Sequence, residues 1–184
     1  AAQWYRKAAD QGNTVAQRTL GVMYYKGQGV AQDIQKAAQW YRKAADQSNV
    51  EAQHNLGVMY YKGQGVAQDF EKAAQWYRKA ANQGNDNAQH NLGIMYHHGK
   101  GVAEDHKKAA QWWQKSADQG HTGAQYILAF MYFNGVGVAR DLQKAAQWWQ
   151  KAADQGHDGA QYNLAVMYSN GGGVAQDLQK AAQW

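Results

Sequence analysis

Apolar residues recur at helical spacing along the chain. In the stretch from Asn13 to Lys26, positions i, i+4, i+7 and i+8 form one face of an amphipathic helix, at Ala16, Leu20, Met23 and Tyr24. A second stretch, from Ile34 to about Gln47, has its small and apolar residues on one face in the same way, at Ile34, Ala37, Ala38, Tyr41, Ala44 and Ala45. The pattern predicts two helices, which we call helix A and helix B.

The residues between the two helices predict a tight connection. The segment KGQGVAQD contains Gly27 and Gly29, which permit the positive φ angles of a turn. Asp33 precedes helix B, where its carboxylate can accept hydrogen bonds from unpaired backbone N–H groups. Gly21 lies in the middle of helix A, where glycine costs roughly 1 kcal/mol relative to alanine. We therefore expect another helix to approach closely at Gly21.

This helix pair is repeated along the whole sequence. The core AAQW of helix B stands at residues 1–4, 37–40, 73–76, 109–112, 145–148 and 181–184, and this fixed period of 36 residues predicts stacked repeats. We expect a single repeat array, with a partial helix B at 1–12, repeats at 13–48, 49–84, 85–120 and 121–156, and a truncated repeat at 157–184. Because the chain begins and ends inside a repeat, we interpret it as a fragment or a processed product.

Composition narrows the class of protein. The 184 residues include no cysteine, which excludes a disulfide framework and cysteine-based zinc sites. The longest apolar runs are only a few residues, so no membrane span is predicted. The net charge of +5 arises from Lys and Arg that alternate with Asp and Glu. Nucleic-acid binding would need a more concentrated basic stripe, and we do not predict it.

One run of residues carries a family resemblance. The pattern A-Q-x-x-L-G-x-M-Y-x-x-G-x-G-V-x-x-D-x-x-K-A-x-x-W-Y-x-K-A-A-x-Q-G is legible from Ala16 to Gln47 and in every later copy, and it resembles the Sel-1-like repeat, a relative of the tetratricopeptide repeat. The resemblance implies an all-α fold, a right-handed α/α superhelical solenoid of 36-residue helix-turn-helix repeats with helix A on the concave side. It also implies an adaptor for peptides or protein partners, and it favours a bacterial periplasmic or secreted location. Ala31 and its equivalents depart from the family, which often has proline there.

The variable face of helix A predicts where a partner binds. The copies keep the apolar face of helix A nearly constant, whereas the other face changes from copy to copy. We predict a concave partner-binding surface formed by Arg18, Tyr25, Lys26, His54, Tyr61, Lys62, His90, His97, Tyr126, Phe130, Phe133 and Tyr162. A row of apolar residues, Val22, Val58, Ile94, Phe130 and Val166, is expected to form its floor. Its basic start and aromatic end favour a peptide or protein partner with an acidic residue.

Other chemistries are weighed and not predicted. GQGVAQ joins two helices and lacks the preceding strand of a dinucleotide fingerprint, so no cofactor is predicted. A serine nucleophile of the S-x-x-K type needs a lysine three residues after the serine, and none of Ser48, Ser116 and Ser169 has one. No other set of catalytic residues has suitable spacing, so we predict no enzyme activity. His90 and His97 lack a Cys ligand nearby, although Asp86 lies four residues before His90, and no metal site is predicted.

Two alternatives to a peptide-binding scaffold stay open. One is a purely structural spacer without a peptide ligand. The other is head-to-tail self-association of the chain through its two partial helices B. The prediction we favour is a non-enzymatic protein-interaction scaffold that uses the helix A face.

Overall fold

A computed structural model describes residues 2–184, and within this range the chain forms α-helices joined by short turns, with no β-strand. The predicted all-α repeat fold is confirmed. The helices are α1 (Ala2–Asp10), α2 (Thr14–Lys26), α3 (Ile34–Asp46), α4 (Val50–Lys62), α5 (Phe70–Asn82), α6 (Asp86–His98), α7 (His106–Asp118), α8 (Thr122–Asn134), α9 (Leu142–Asp154), α10 (Asp158–Asn170) and α11 (Leu178–Ala181). Even-numbered helices are helices A, and odd-numbered helices are helices B.

The chain divides into two compact units. The N-terminal unit comprises the residues up to Ala88 together with Lys100–Ala103, and the C-terminal unit comprises Gln89–Gly99 and Glu104–Trp184. In the N-terminal unit α2 packs against α3, and α4 packs against α5. In the C-terminal unit α8 packs against α9, and α10 packs against α11. No helix within residues 2–184 is both long and apolar enough to cross a lipid bilayer.

The two helices of a pair run antiparallel, as α2 and α3 show. The Tyr24 carbonyl near the end of α2 accepts a hydrogen bond of 2.9 Å from the backbone N–H of Asp33, just before α3 begins. At the other end of the pair, Gln47 donates to the side chain of Gln17 over 2.8 Å. The predicted N-cap is confirmed, because Asp33 accepts the Lys36 backbone N–H over 2.9 Å. This hydrogen bond holds the pKa of Asp33 below its ordinary value.

The core of each repeat contains a leucine, several alanines and large aromatic rings. Leu20 and Leu56 in the N-terminal unit, and Leu128 in the C-terminal unit, are fully buried. The close approach predicted at Gly21 is confirmed, since a Cβ atom added there would lie 2.6 Å from the ring of Tyr41 in α3. Glycine is therefore needed in the middle of α2 because an aromatic side chain of helix B packs directly on the backbone of helix A.

A buried ladder of glutamines ties neighbouring helices together in both units. Gln53 is 3% exposed, and its amide donates to the Ala45 carbonyl over 3.1 Å while its oxygen accepts from Gln83 over 2.8 Å. In the C-terminal unit Gln125 does the same, donating to Ala117 over 3.2 Å and accepting from Gln155 over 2.7 Å. Because a buried amide is costly unless its hydrogen bonds are made, each glutamine fixes the register of one repeat on the next.

Ser48 predicts a simple stabilising substitution. It ends helix B with φ of 65°, where Gly12, Gly84, Gly120 and Gly156 stand in the other copies at φ of 82–92°. A left-handed conformation costs a residue with a Cβ atom roughly 1–2 kcal/mol, and glycine costs roughly 0.5–1 kcal/mol in lost unfolded-state freedom, so we expect Ser48→Gly to raise the free energy of unfolding by about 0.5–1 kcal/mol. Denaturant titration followed by circular dichroism measures the change. Gly84→Ser, the reverse exchange, should lower stability by a similar amount, and equal stabilities of Ser48→Gly and the parent would contradict the argument.

Candidate partner-binding grooves

A groove lies between successive helices A of the N-terminal unit, and we call it the N-groove. It has a volume of about 390 Å³ and is lined by Val22, Tyr25 and Lys26 of α2, Tyr41 of α3, and His54, Asn55, Val58 and Met59 of α4. Tyr41 is almost completely buried, so its ring forms the floor, while Lys26 is exposed at the edge. The Tyr25 hydroxyl lies 3.1 Å from the side-chain oxygen of Gln64, which fixes one wall.

The titratable groups of the N-groove are shaped by burial. Burial raises the pKa of Tyr41 to about 12, against a smaller opposite effect of the Arg18 charge. Burial also lowers the pKa of His54, against raising effects of a hydrogen bond with Asn55 and of the Asp86 charge. His54 is therefore favoured as neutral imidazole at neutral pH, and the positive charge of the N-groove comes from Lys26 and Arg18.

Two further predicted residues of the N-terminal unit, Tyr61 and Lys62, do not line the N-groove. Tyr61 packs edge-on against Phe70, with ring centroids 5.3 Å apart. The Lys100 ammonium lies 3.2 Å from the Tyr61 hydroxyl and 5.4 Å from the centre of its ring. Lys62, the next residue along α4, is exposed. These residues form an aromatic and basic patch, which adds two further positive charges to the helix A face of this unit.

The C-terminal unit contains the equivalent groove, which we call the C-groove. It has a volume of about 400 Å³ and is lined by Ile94, His97 and His98 of α6, Trp113 of α7, Ile127, Phe130, Met131 and Asn134 of α8, and Val136. Seven of its lining positions lie 72 residues after lining positions of the N-groove, as Trp113 does after Tyr41. The C-groove is more apolar, because Ile127 and Phe130 replace Asn55 and Val58.

The remaining predicted residues of the C-terminal unit form an aromatic cluster. Tyr126 stacks on His157 at 4.2 Å and meets Phe130 edge-on at 5.1 Å. Phe130 and Phe133 both contact the buried Trp149, at centroid distances of 5.3 Å and 5.4 Å. His90 stacks on His121 at 4.5 Å. Tyr162 is 69% exposed, Val166 is also exposed, and neither lines the C-groove.

The grooves also use residues that sequence reasoning missed. The predicted surface was confined to helix A, but the floor of each groove is an aromatic ring of helix B, Tyr41 or Trp113. The residues that we expected to form the floor line the grooves from the helices A around that ring. They are Val22 of α2, Val58 of α4, Ile94 of α6 and Phe130 of α8. A signal was present, since Gly21 and Gly93 leave room on helix A for a large ring.

Histidines gather beside the C-groove. His97 lies 4.8 Å, ring centre to ring centre, from both His98 and His106, and His106 lies 3.3 Å from Glu104. The buried Nδ1 atoms of His97 and His106 make no hydrogen bond within the described chain. Burial, followed by the charges of His106 and His98, lowers the pKa of His97, while Glu104 raises it. Among residues 2–184 no group of three or more His, Asp or Glu side chains is arranged to hold a metal ion.

The histidine cluster predicts a pH-dependent stability. The folded protein protonates His97 less readily than the unfolded chain does, so stability should be fully present above the unfolded pKa of about 6.5 and should fall as pH drops through the lowered folded pKa. We expect His97→Tyr, the residue at the equivalent positions Tyr25 and Tyr61, to flatten this loss. Denaturant midpoints at pH 5.0 to 7.5 measure it. A slope that is unchanged in His97→Tyr would assign the loss to other histidines, such as His54.

Repeated helix pairs that bury aromatic rings and open grooves between successive helices A define a class, the α-helical repeat proteins. A family model described as Sel1 repeat matches residues 1–13, 14–49, 50–85, 86–121, 122–157 and 159–184, and the chain therefore belongs to the Sel1 repeat family. Sel1 repeat proteins generally mediate protein–protein interactions, and the family is generally a non-catalytic scaffold.

Solved structures agree with this assignment. The chain is 43% identical to c5321, a protective antigen present in uropathogenic Escherichia coli strains displaying an SLR fold, with a TM-score of 0.95 over 97% of the chain. It spans only 38% of the length of that antigen. A Sel1 repeat protein from Oxalobacter formigenes is 37% identical, with a TM-score of 0.87, and the match covers 95% of the chain and 69% of that protein. Helicobacter pylori cysteine rich protein B is 28% identical, with a TM-score of 0.56, and the match covers 70% of the chain and 92% of that protein. No curated protein matches the chain.

Proposed function

We propose that the chain is an interaction scaffold that binds a peptide or protein partner on its helix A face, with one groove in each unit. The observation that supports the proposal most strongly is the recurrence of one groove at equivalent positions with different chemistry. The backbone and the ring at the floor are kept, while Lys26, Asn55 and Val58 of the N-groove are replaced in the C-groove. A scaffold that distinguishes partners by their side chains needs grooves with the same backbone and different lining residues.

The lining indicates what each groove accepts. The N-groove has Lys26 at its edge and Arg18 near its floor, so it suits a segment with an acidic residue. The C-groove exposes Phe130 among aliphatic side chains, so it suits a bulky apolar side chain. A volume of about 400 Å³ fits one side chain rather than a folded domain, which favours an extended or helical peptide segment.

The test is a selection of peptides from a random library on the 184-residue chain, followed by affinity measurement. We expect the selected peptides to carry acidic and bulky apolar residues. Lys26→Glu combined with His54→Ala should weaken binding in the N-groove about tenfold, or roughly 1.4 kcal/mol, and high salt should weaken the binding of the parent chain. Phe130→Ala should weaken binding in the C-groove to a similar degree.

The matched control is Lys7→Glu, which makes the same charge change at an exposed residue of α1 outside both grooves. Helicity and melting temperature of every variant are compared with the parent chain. Peptides that bind the groove variants and the parent equally would refute the proposed site. A library that yields no binder would favour the alternative of a structural spacer without a peptide ligand.

Head-to-tail self-association through the two partial helices B is an alternative that the sequence leaves open. It predicts a molar mass that grows with concentration in light scattering after size-exclusion chromatography. A constant monomer mass up to high concentration would count against it.

A further inference from the structure

A row of tyrosines on α2, α4, α8 and α10 forms a second recurrent feature, distinct from the grooves. These are Tyr24 and Tyr60 in the N-terminal unit and Tyr132 and Tyr168 in the C-terminal unit. Each ring has a lysine ammonium from the following helix B at 5.3–5.8 Å from its centre, namely Lys36, Lys72, Lys144 and Lys180. The lysine is thus a constant partner of this tyrosine in both units.

In the N-terminal unit each tyrosine also has an arginine of its own chain. The Arg6 guanidinium donates a hydrogen bond to the Tyr24 hydroxyl and lies 5.9 Å from the centre of its ring. The Arg42 guanidinium donates to the Tyr60 hydroxyl and lies 5.5 Å from its ring. A planar guanidinium can satisfy both contacts, because it donates hydrogen bonds in its plane and is attracted to an aromatic ring.

At Tyr132 and Tyr168 glutamine stands at the position of this arginine. Gln114 and Gln150 are the equivalents of Arg42, and each donates instead to an aspartate on its own helix, Asp118 over 2.9 Å and Asp154 over 2.7 Å. A furrow lies beside Tyr132 and another beside Tyr168. The furrow at Tyr132, lined by Gln111, Gln114 and Leu128, measures about 440 Å³, and the one at Tyr168, lined by Gln147, Gln150 and Leu164, measures about 530 Å³.

We propose that these two tyrosine furrows are arginine-binding sites, each of which takes one arginine side chain of a protein partner. The occupant is identified by the chain itself, since Arg6 and Arg42 already make the same contacts from within in the N-terminal unit. The entering guanidinium donates to the tyrosine hydroxyl and packs on its ring. Asp118 and Asp154 accept hydrogen bonds from the lining residues Gln114 and Gln150, and their carboxylates balance the positive charge of the arginine.

The neighbouring lysines do not exclude this occupant. The Lys115 and Lys151 ammonium groups lie over the rings of Trp112 and Trp148, at 4.3 Å and 4.0 Å. Lys43 lies over Trp40 in the same way, at 4.2 Å, on the helix that carries Arg42. The two furrows differ at one lining position, where Lys107 of the Tyr132 furrow corresponds to Gln143 of the Tyr168 furrow. The Tyr168 furrow is therefore the less basic and should bind arginine more tightly.

The experiment follows the tyrosine ring signals by NMR during titration with N-acetyl-arginine amide. Two matched probes are titrated in parallel, the lysine analogue with equal charge and the citrulline analogue with similar shape and no charge. We expect saturable shifts at Tyr168 and Tyr132 with the arginine probe, at a dissociation constant on the order of 1–10 mM for a single side chain. The lysine and citrulline probes should bind at least about fivefold more weakly, because neither combines charge with a planar donor.

Two reciprocal variants locate the site. Gln114→Arg with Gln150→Arg fills both furrows from within and should remove the shifts, whereas Arg42→Gln should create a new arginine-dependent shift at Tyr60. Gln28→Arg adds the same charge at an exposed turn residue and should change neither. Equal binding of the lysine probe, or persistent shifts in a folded Gln114→Arg, Gln150→Arg chain, would overturn the proposal. If that double variant does not fold, the Arg42→Gln chain decides, and no new shift at Tyr60 then overturns it. Peptide binding in the N-groove or C-groove is read separately, so the two proposals fail independently.

Discussion

Gly65→Ala is expected to destabilise the N-terminal unit by about 1.5–4 kcal/mol, the sum of a net roughly 0.5–1 kcal/mol for placing a Cβ atom on a left-handed residue and about 1–3 kcal/mol for overpacking. Gly65 has φ of 68° in the turn after α4. A Cβ atom there would lie 2.7 Å from the backbone carbonyl carbon of Ile34 and closer still to its oxygen. Ile34 opens α3, so the clash is with backbone that is fixed by the helix and cannot rotate away.

Gly84→Ala is the matched control for this prediction. Gly84 also has a positive φ, of 92°, but a Cβ atom there meets nothing within 4 Å. It should cost only the net conformational part, about 0.5–1 kcal/mol. Denaturant unfolding of both variants, followed by circular dichroism, separates the two contributions. Equal losses for Gly65→Ala and Gly84→Ala would mean that the turn moves away from α3 without cost.

Much of the fold could be predicted because the same short pattern of apolar, capping and turn residues recurs along the sequence. The spacing of Ala16, Leu20 and Tyr24 fixes one buried face of α2, and all three are buried. The position of Asp33 before an alanine-rich stretch fixes the start of α3, where it caps the helix. These features are local, since they depend on residues within one or two helical turns. Local features are the ones that a pattern in a single sequence can determine.

The glutamine ladder shows what periodicity leaves out. Gln17 and Gln53 are polar residues next to the buried alanines Ala16 and Ala52, and a polarity pattern places such residues at the surface. They are buried because a glutamine from the following helix B supplies the missing hydrogen bond, as Gln83 does for Gln53. That partner lies 30 residues away, so its position depends on how the two helices of a repeat pack against each other. The periodic pattern also did not predict that the rings of Tyr41 and Trp113 reach the helix A face from helix B, because this too depends on helix packing.

The predicted site residues separate into groups for a physical reason. Tyr25, Lys26 and His54 lie at positions that face a neighbouring helix A, so they share the N-groove. Tyr162 varies from copy to copy in the same way, but it is 69% exposed, because its side chain lies beyond the lining of the C-groove. Variation between copies thus identifies residues that are free to change, and only the packing of helices decides which of them line a cavity.

Trp113→Ala is the second large effect that we expect, a loss of about 3–5 kcal/mol in the free energy of unfolding. Trp113 is 2% exposed, and its indole N–H donates to the His90 carbonyl over 3.1 Å. The ring packs against Gly93 so closely that a Cβ atom there would lie 2.6 Å from Nε1. Removing the ring leaves a cavity that Gly93 has no side chain to fill, and the C-groove loses its floor at the same time.

Trp113→Tyr separates stability from binding. Tyr41 stands at the equivalent position and forms the floor of the N-groove, so a tyrosine ring fits the frame. This variant should lose only about 1–2 kcal/mol, part of it the hydrogen bond to His90, and it should keep the C-groove and its selected peptides. A Trp113→Ala chain within about 1 kcal/mol of the parent would contradict the packing argument, since large cavities in cores cost more. If the alanine variant is destabilised as expected and still binds those peptides at full strength while folded, the walls from α6 and α8 make the contact without the floor.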